Sequence, residues 1–236
     1  MQRILVLNPK GGSGKTTIAT NLASYFASQG DHPLLSDNDP QGSSTRWLKK
    51  RKPDQSFIHG IAAFERNTRM TRAWQMRIPA DAGHVIVDTP AAVPAQDMPE
   101  MTKTADAIIV PVLPSDIDIH ACSRCIADLL LIAKVRRDEN RIGVIANRVK
   151  RNTLIYQSLM RFLETLRIPV IATLRDSQNY VRAAEQGVGL YEMKRNLVAQ
   201  DIGDWEPLLG WLHNKEGVVR PNPAPISGIN PLPETA

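Results

Sequence analysis

Residues 4–27 read ILVLNPKGGSGKTTIATNLASYFA, and three local patterns follow one another within them. Ile4–Leu7 is an unbroken apolar run of strand length, which Asn8, Pro9 and a glycine-rich turn bring to an end. From Thr17 to Ala27 the apolar residues Ile18, Leu22, Ala23 and Phe26 recur at helical spacing. Strand, glycine-rich loop and helix in that order, with KGGSGKTT at Lys10–Thr17, make a phosphate-binding loop. Gly11, Gly12 and Gly14 let the backbone turn tightly around Ser13 and aim its N–H groups at phosphate oxygens, and the positive end of the following helix adds to the attraction. Lys15 is placed to bridge the β- and γ-phosphates, the Thr16 hydroxyl to ligate Mg²⁺, and Thr17 to cap and pack the helix start. The implied ligand is ATP or GTP.

Outward from the loop, short apolar runs recur at Leu34-Leu35, Val85–Val87, Ala107–Val112 and Ile142–Ala146, separated by segments of helix-like periodicity. Such alternation predicts an α/β fold, a single-domain P-loop NTPase with a mostly parallel twisted sheet and helices on both faces. Two of these runs lead into carboxylates. Ser36–Gly42 follows the second strand, and period-two alternation puts Asp37 and Asp39 on one face. Carboxylates there can hold the Mg²⁺ shell and orient a water for in-line attack on the γ-phosphate, or Asp37 can serve the turn alone. Val85–Val87 ends in Asp88-Thr89-Pro90, which suits an aspartate that holds Mg²⁺ through water. Pro111–Ser115, with Asp118 capping the next helix, is explained by a strand exit and an N-cap.

Composition bounds the rest. The 236 residues are 42% hydrophobic, enough for one core of good size. Lys and Arg outnumber Asp and Glu by 29 to 24, a formal charge of +5, which favours a polyanionic partner such as nucleic acid or an anionic membrane. No run approaches the ~18 to 20 consecutive apolar residues that a spanning helix needs, and no secretory pattern opens the chain. With only two cysteines, Cys122 and Cys125, these features place the protein in a reducing cytoplasm. Five prolines fall within residues 215–236, so the division expected is an ATPase domain over 1–214 and a loosely held Pro-rich tail over 215–236. Such a tail cannot form the amphipathic basic helix of a membrane anchor.

The second lysine of the loop, Lys10, goes beyond the general motif and resembles the deviant Walker A box of the ParA/MinD superfamily. The match runs from the first strand to about Leu212 and is best to short ParA-type partition and cargo-positioning ATPases, ParF-like and McdA-like, without an N-terminal helix-turn-helix domain. By this resemblance Lys10 reaches across a nucleotide-sandwich homodimer to the partner's ATP, which makes Lys10, Lys15 and Asp39 catalytic. Asp39 is then the residue before Pro-Gln that is linked to hydrolysis, Asp37 and Asp88 join Thr16 at the metal, and Asn147 after its strand contacts adenine. A Lys10 that is only a solvated loop lysine is the plain alternative.

The resemblance further implies a weak ATPase, with ATP and Mg²⁺ as cofactors, that binds non-specific double-stranded DNA in its ATP state at the nucleoid. A cargo-bound ParB-like or McdB-like protein would stimulate hydrolysis, and no membrane is expected. DNA binding needs cations aligned on one face. Candidates are Arg148, Lys150 and Arg151; Arg175 and Arg182; Lys194 and Arg195; and the run Arg46–Lys52, with Arg182 and its neighbours favoured over ordinary solvated helix charges. The other superfamily readings are a MinD-like membrane-associated regulator and a metal-cluster-loading ATPase. The second draws on Cys122 and Cys125 at i, i+3, where two copies could supply four ligands, although paired cysteines on a helix also suit a core.

Overall fold

The computed structural model describes residues 1–65 and 78–215, so all but the first residue of the expected tail lies outside the described residues. Among the described residues one sheet contains β1 (Gln2–Val6), β2 (Leu34–Asp37), β3 (His59–Ala62), β4 (His84–Asp88), β5 (Ala107–Val112), β6 (Ile142–Val149) and β7 (Val170–Arg175). The order is β3-β2-β4-β1-β5-β6-β7, and every pairing is parallel. The helices are α1 (Lys15–Ser28), α2 (Ser43–Lys50), α3 (Met98–Lys103), α4 (Asp116–Leu131), α5 (Leu154–Leu166), α6 (Gln178–Gln186) and α7 (Arg195–His213).

The central strands read as apolar runs because both faces of the sheet are covered. On β1 the pleat sends Ile4 and Val6 into one buried cluster with Leu22 and Phe26 of α1 and Trp205 and Leu208 of α7. Leu5, and Leu7 just past the strand, enter the cluster on the other face with Met98 of α3, Leu129 of α4 and Leu159 of α5. Two strands lack such a run. β3 reads His-Gly-Ile-Ala and β7 reads Val-Ile-Ala-Thr-Leu-Arg, and both lie at sheet edges, where a strand needs less apolar surface.

β1 sits mid-sheet, with β4 on one side and β5 on the other. The chain leaves β1 toward β2 and later crosses from β4 to β5, so the connections diverge at this point. In an open parallel sheet the crevice at the carboxyl ends of such strands is where ligands bind.

Candidate functional site

A cavity of about 560 Å³ opens at that crevice, lined at one end by Gly11, Gly12, Gly14, Lys15, Thr16, Thr17 and Asp39. Gly12 and Gly14 have φ of 79° and 96°, and Gly14 is the N-cap of α1, so the loop passes through backbone shapes that favour glycine. A Cβ on Gly14 would stand 2.2 Å from the Asn147 amide nitrogen. The loop is pinned on three sides. Asn8 Nδ2 donates to the Pro111 carbonyl at 2.5 Å while its Oδ1 accepts from the Lys10 N–H at 2.8 Å. Ala92 N–H donates to the Pro9 carbonyl at 2.8 Å, and Asn147 Nδ2 donates to the Ser13 carbonyl at 2.8 Å.

The polar groups facing this end are buried and short of partners. Lys15 is only 6% exposed, and its Nζ donates to the Lys10 carbonyl at 3.2 Å. Burial lowers its pKa, with Asp88 and Asp39 acting in the opposite sense. Asp88 is fully buried. Its Oδ2 accepts from the Ser44 hydroxyl at 2.7 Å, while Oδ1 has no partner among the described residues. Burial pushes the Asp88 carboxyl up to about 6 against hydrogen bonds from Ser44 and Thr16, and neighbouring Asp37 adds to the rise. An orphaned carboxylate oxygen, the Thr16 hydroxyl beside the same side chain and a nearby buried lysine fit a divalent cation bound with an anionic phosphate chain.

Two expectations are refined. The structure ends β2 at Asp37, so the pleat does not orient Asp39. A turn does so instead: Asn38 N–H donates to the Asp88 carbonyl at 2.9 Å, and Asp39 Oδ1 accepts from the Gln41 N–H at 2.9 Å. Asp37, paired with Asp88 across the β2–β4 register, has both oxygens on backbone N–H groups: Thr45 at 2.7 Å and Asp39 at 3.2 Å. Its carboxylate therefore anchors the start of α2, and the free oxygen of the pair belongs to Asp88. Sequence reasoning missed Ser44, whose place in a Gly-Ser-Ser-Thr run signals only a helix start.

Asp118 likewise differs from the expected cap. Ser115 is the N-cap of α4 and accepts from the Asp118 N–H, while the Asp118 carboxylate turns back to Lys10 Nζ at 2.5 Å. Cys122 and Cys125 are both fully buried on α4, and burial pushes the Cys122 thiol up to about 12 and Cys125 also upward. They lie in an apolar cluster and present no sulfur to a second copy.

The other end of the cavity is lined by Asn147, Arg148, Leu174, Asp176, Ser177, Tyr180 and Val181, from the ends of β6 and β7 and from α6. β6 is irregular between Ala146 and Val149, and Arg148 adopts a φ of 52°, which sets Asn147 under the loop and Arg148 at the surface. On and beside this end three arginines are already paired. Arg148 faces Asp176 at 3.6 Å, Arg151 faces Asp204 at 2.8 Å, and Arg175 faces Asp201 at 2.5 Å and also Gln200. Lys150, Arg182, Lys194 and Arg195, with Arg46, Lys49 and Lys52 on and after α2, are exposed and form no ion pair among the described residues. No helix among the described residues is long and apolar enough to cross a membrane.

Comparison with known proteins gives a consistent result. Residues 4–190 match the family described as the CobQ/CobB/MinD/ParA nucleotide binding domain. Maintenance of carboxysome distribution protein A from Halothiobacillus neapolitanus is 25% identical over 191 residues, 80% of this chain and 87% of that protein. The chromosome-partitioning ATPase Soj of Thermus thermophilus is 53% identical over a shorter stretch of 75 residues, 27% of this chain and 30% of that protein. Among solved structures, an ATP complex of a Cyanothece McdA variant superposes with a TM-score of 0.66 at 16% identity, covering 94% of this chain and 99% of that one. MinD of Aquifex aeolicus gives 0.64 at 19% identity, with the same coverage.

Proposed function

The chain belongs to the CobQ/CobB/MinD/ParA nucleotide-binding family, and from that premise we propose that it is a Mg-ATP-driven switch that pairs on ATP, holds duplex DNA without sequence preference in that state, and positions a large cargo in a cytoplasm. The observation that carries this reading is the double-lysine loop. Lys10 and Lys15 flank a glycine cradle, and Lys15 lines one cavity with Asp39 while feeling the charge of buried Asp88.

In this reading Lys15 and the loop N–H groups bind the phosphate chain, and the buried surroundings strengthen that attraction. Bound Mg²⁺ would neutralise developing phosphate charge, with Asp88 and Thr16 as its holders. Asp39 accepts the proton of the attacking water or orients it. Asn147 braces the loop through Ser13 and meets the base at the far end of the cavity. No arginine belongs to the phosphate loop, so turnover is slow until a cargo-bound ParB-like or McdB-like protein stimulates it. The relative named for carboxysome distribution makes that organelle the first cargo to examine. The exposed cations Lys150, Arg182, Lys194 and Arg195, which form no ion pair among the described residues, are the stronger DNA-contact candidates, because Arg148, Arg151 and Arg175 each already face a carboxylate within the chain. Residues 1–214 would carry these activities, and 215–236 is a Pro-rich appendage.

The test is binding to random-sequence duplex DNA with ATP, with ADP and without nucleotide across a salt series, with anionic liposomes alongside. Salt-sensitive binding in ATP alone is the expected result. Binding to liposomes and not DNA would replace this reading with a membrane-associated regulator.

A further inference from the structure

The ion pair between Lys10 and Asp118 joins the phosphate loop to the first turn of a helix 108 residues further along the chain. Three observations mark it as more than a surface contact. Asp118 is only 2% exposed, whereas the Lys10 side chain is 32% exposed and so has solvent on one side. The same Asp118 oxygen that meets Lys10 at 2.5 Å also accepts from the Ser115 hydroxyl, while the other, Oδ1, is buried without a partner among the described residues. The backbone around Lys10 is fixed as well, its N–H held by Asn8 and its carbonyl by Lys15. The ammonium stands outside that backbone network, and a buried carboxylate holds it.

That holding is at odds with a lysine that must reach outward. A phosphate chain brought to Lys10 by a second copy would face the Asp118 charge, and like charges a few ångströms apart in a partly dry site repel strongly. A buried carboxylate that loses its counter-ion is also unfavourable. The two anions therefore compete for one ammonium.

We infer that Asp118 is a positioning residue for Lys10: in the single chain its buried carboxylate keeps the lysine back against α4, and pairing of two copies over nucleotide requires Lys10 to exchange that carboxylate for phosphate oxygens. The inference rests on the reading that Lys10 reaches a partner's ATP. It adds a restraint, because pairing falls with the square of the fraction of chains in which Lys10 is free. Binding of ATP by one chain, which uses Lys15, is not restrained in this way. α4 also becomes sensitive to nucleotide state, since release of Lys10 leaves its first turn with an unbalanced charge.

The experiment uses the full chain with Mg-ATP in analytical ultracentrifugation, comparing the natural protein with Asp118→Asn. The amide keeps the shape and the Ser115 contact but removes the charge. Asp118→Asn is expected to pair at about a hundredfold lower protein concentration, with unchanged ATP binding by the monomer, where each of the two copies holds Lys10 back about ten times as often as it frees it. Pairing that is unchanged or weaker in this variant would overturn the inference, the weaker result showing that Asp118 orients Lys10 within the pair. A second measurement needs no variant. In the nucleotide-free natural chain, acetylation by an amine-reactive ester, read residue by residue by mass spectrometry, should be several-fold slower at Lys10 than at exposed Lys49 and Lys52. Equal rates would overturn the Lys10–Asp118 restraint itself. A natural chain that shows slow Lys10 acetylation but never pairs on ATP would instead sink the pairing reading and leave the ion pair as a static contact.

Discussion

The two ends of the cavity treat charge in opposite ways. Around the phosphate loop, Lys15 is buried on a backbone carbonyl and Asp88 has an oxygen with nothing to bond among the described residues. Around β7 and α6, Arg148, Arg151 and Arg175 each have a carboxylate of their own chain within 4 Å. The first end buries groups that lack partners, whereas at the second a cation without an ion pair, such as Arg182, is exposed to solvent, so a site for a charged reactant is found less by where charges gather than by where they are buried without partners.

The contrast can be broken at several points. Lys15→Ala removes the buried ammonium of the unfinished end, and ATP binding by isothermal calorimetry should weaken by at least about a hundredfold, or ~3 kcal/mol. An equally large loss from Arg175→Ala would erase the distinction between the ends. Asp39→Ala should cut partner-stimulated phosphate release by about 10²-fold while pairing on ATP persists in size-exclusion chromatography with light scattering. Loss of pairing would assign Asp39 to binding rather than to the water.

Acid sharpens the comparison with a smaller effect. Because the Asp88 carboxyl is raised from 3.8 to about 6, the folded chain holds that proton more tightly than the unfolded one. The apo protein should therefore lose stability as pH rises from about 4 to about 6, and Mg-nucleotide should restore it above that range. The rise in melting temperature on adding Mg-ATP is accordingly expected to be larger at pH 7.5 than at pH 5.5, and equal shifts would show that no cation meets Asp88. Smallest of all, Arg182→Ala should lower the slope of log K against log salt for DNA binding by about 1, whereas Arg151→Ala should leave it nearly unchanged.

The legibility of the molecule in its sequence follows the same division. Lys10–Thr17 was readable because every group it needs lies within eight residues, and the central strands because burial on both faces leaves an unmistakable apolar run. Ser44 was invisible, since its value comes from Asp88 at a separation of 44 residues. The same holds for Asp118, which reads as a helix-start residue until the fold carries it to Lys10. Asp37 and Asp39 show a subtler limit. Alternation assumes that the strand continues, and it stops at Asp37, where backbone N–H groups of the next helix take up the carboxylate. The cation clusters were legible as composition only, because which arginines are neutralised depends on Asp176, Asp201 and Asp204 arriving from other elements.

Helix α2 is fixed at both ends. Its first turn is bonded to the carboxylates of Asp88 and Asp37 through Ser44 and Thr45. At the other end the Trp47 indole N–H donates to the Val188 carbonyl, and Arg51 just past the helix grips Glu192 through both of its terminal nitrogens, at 2.6 and 2.9 Å. An eight-residue helix is about 12 Å long and too short to bend. It therefore forms a short rigid link, so that any displacement of the Asp37 and Asp88 carboxylates at the carboxyl end of the sheet would be felt at the turn ahead of α7.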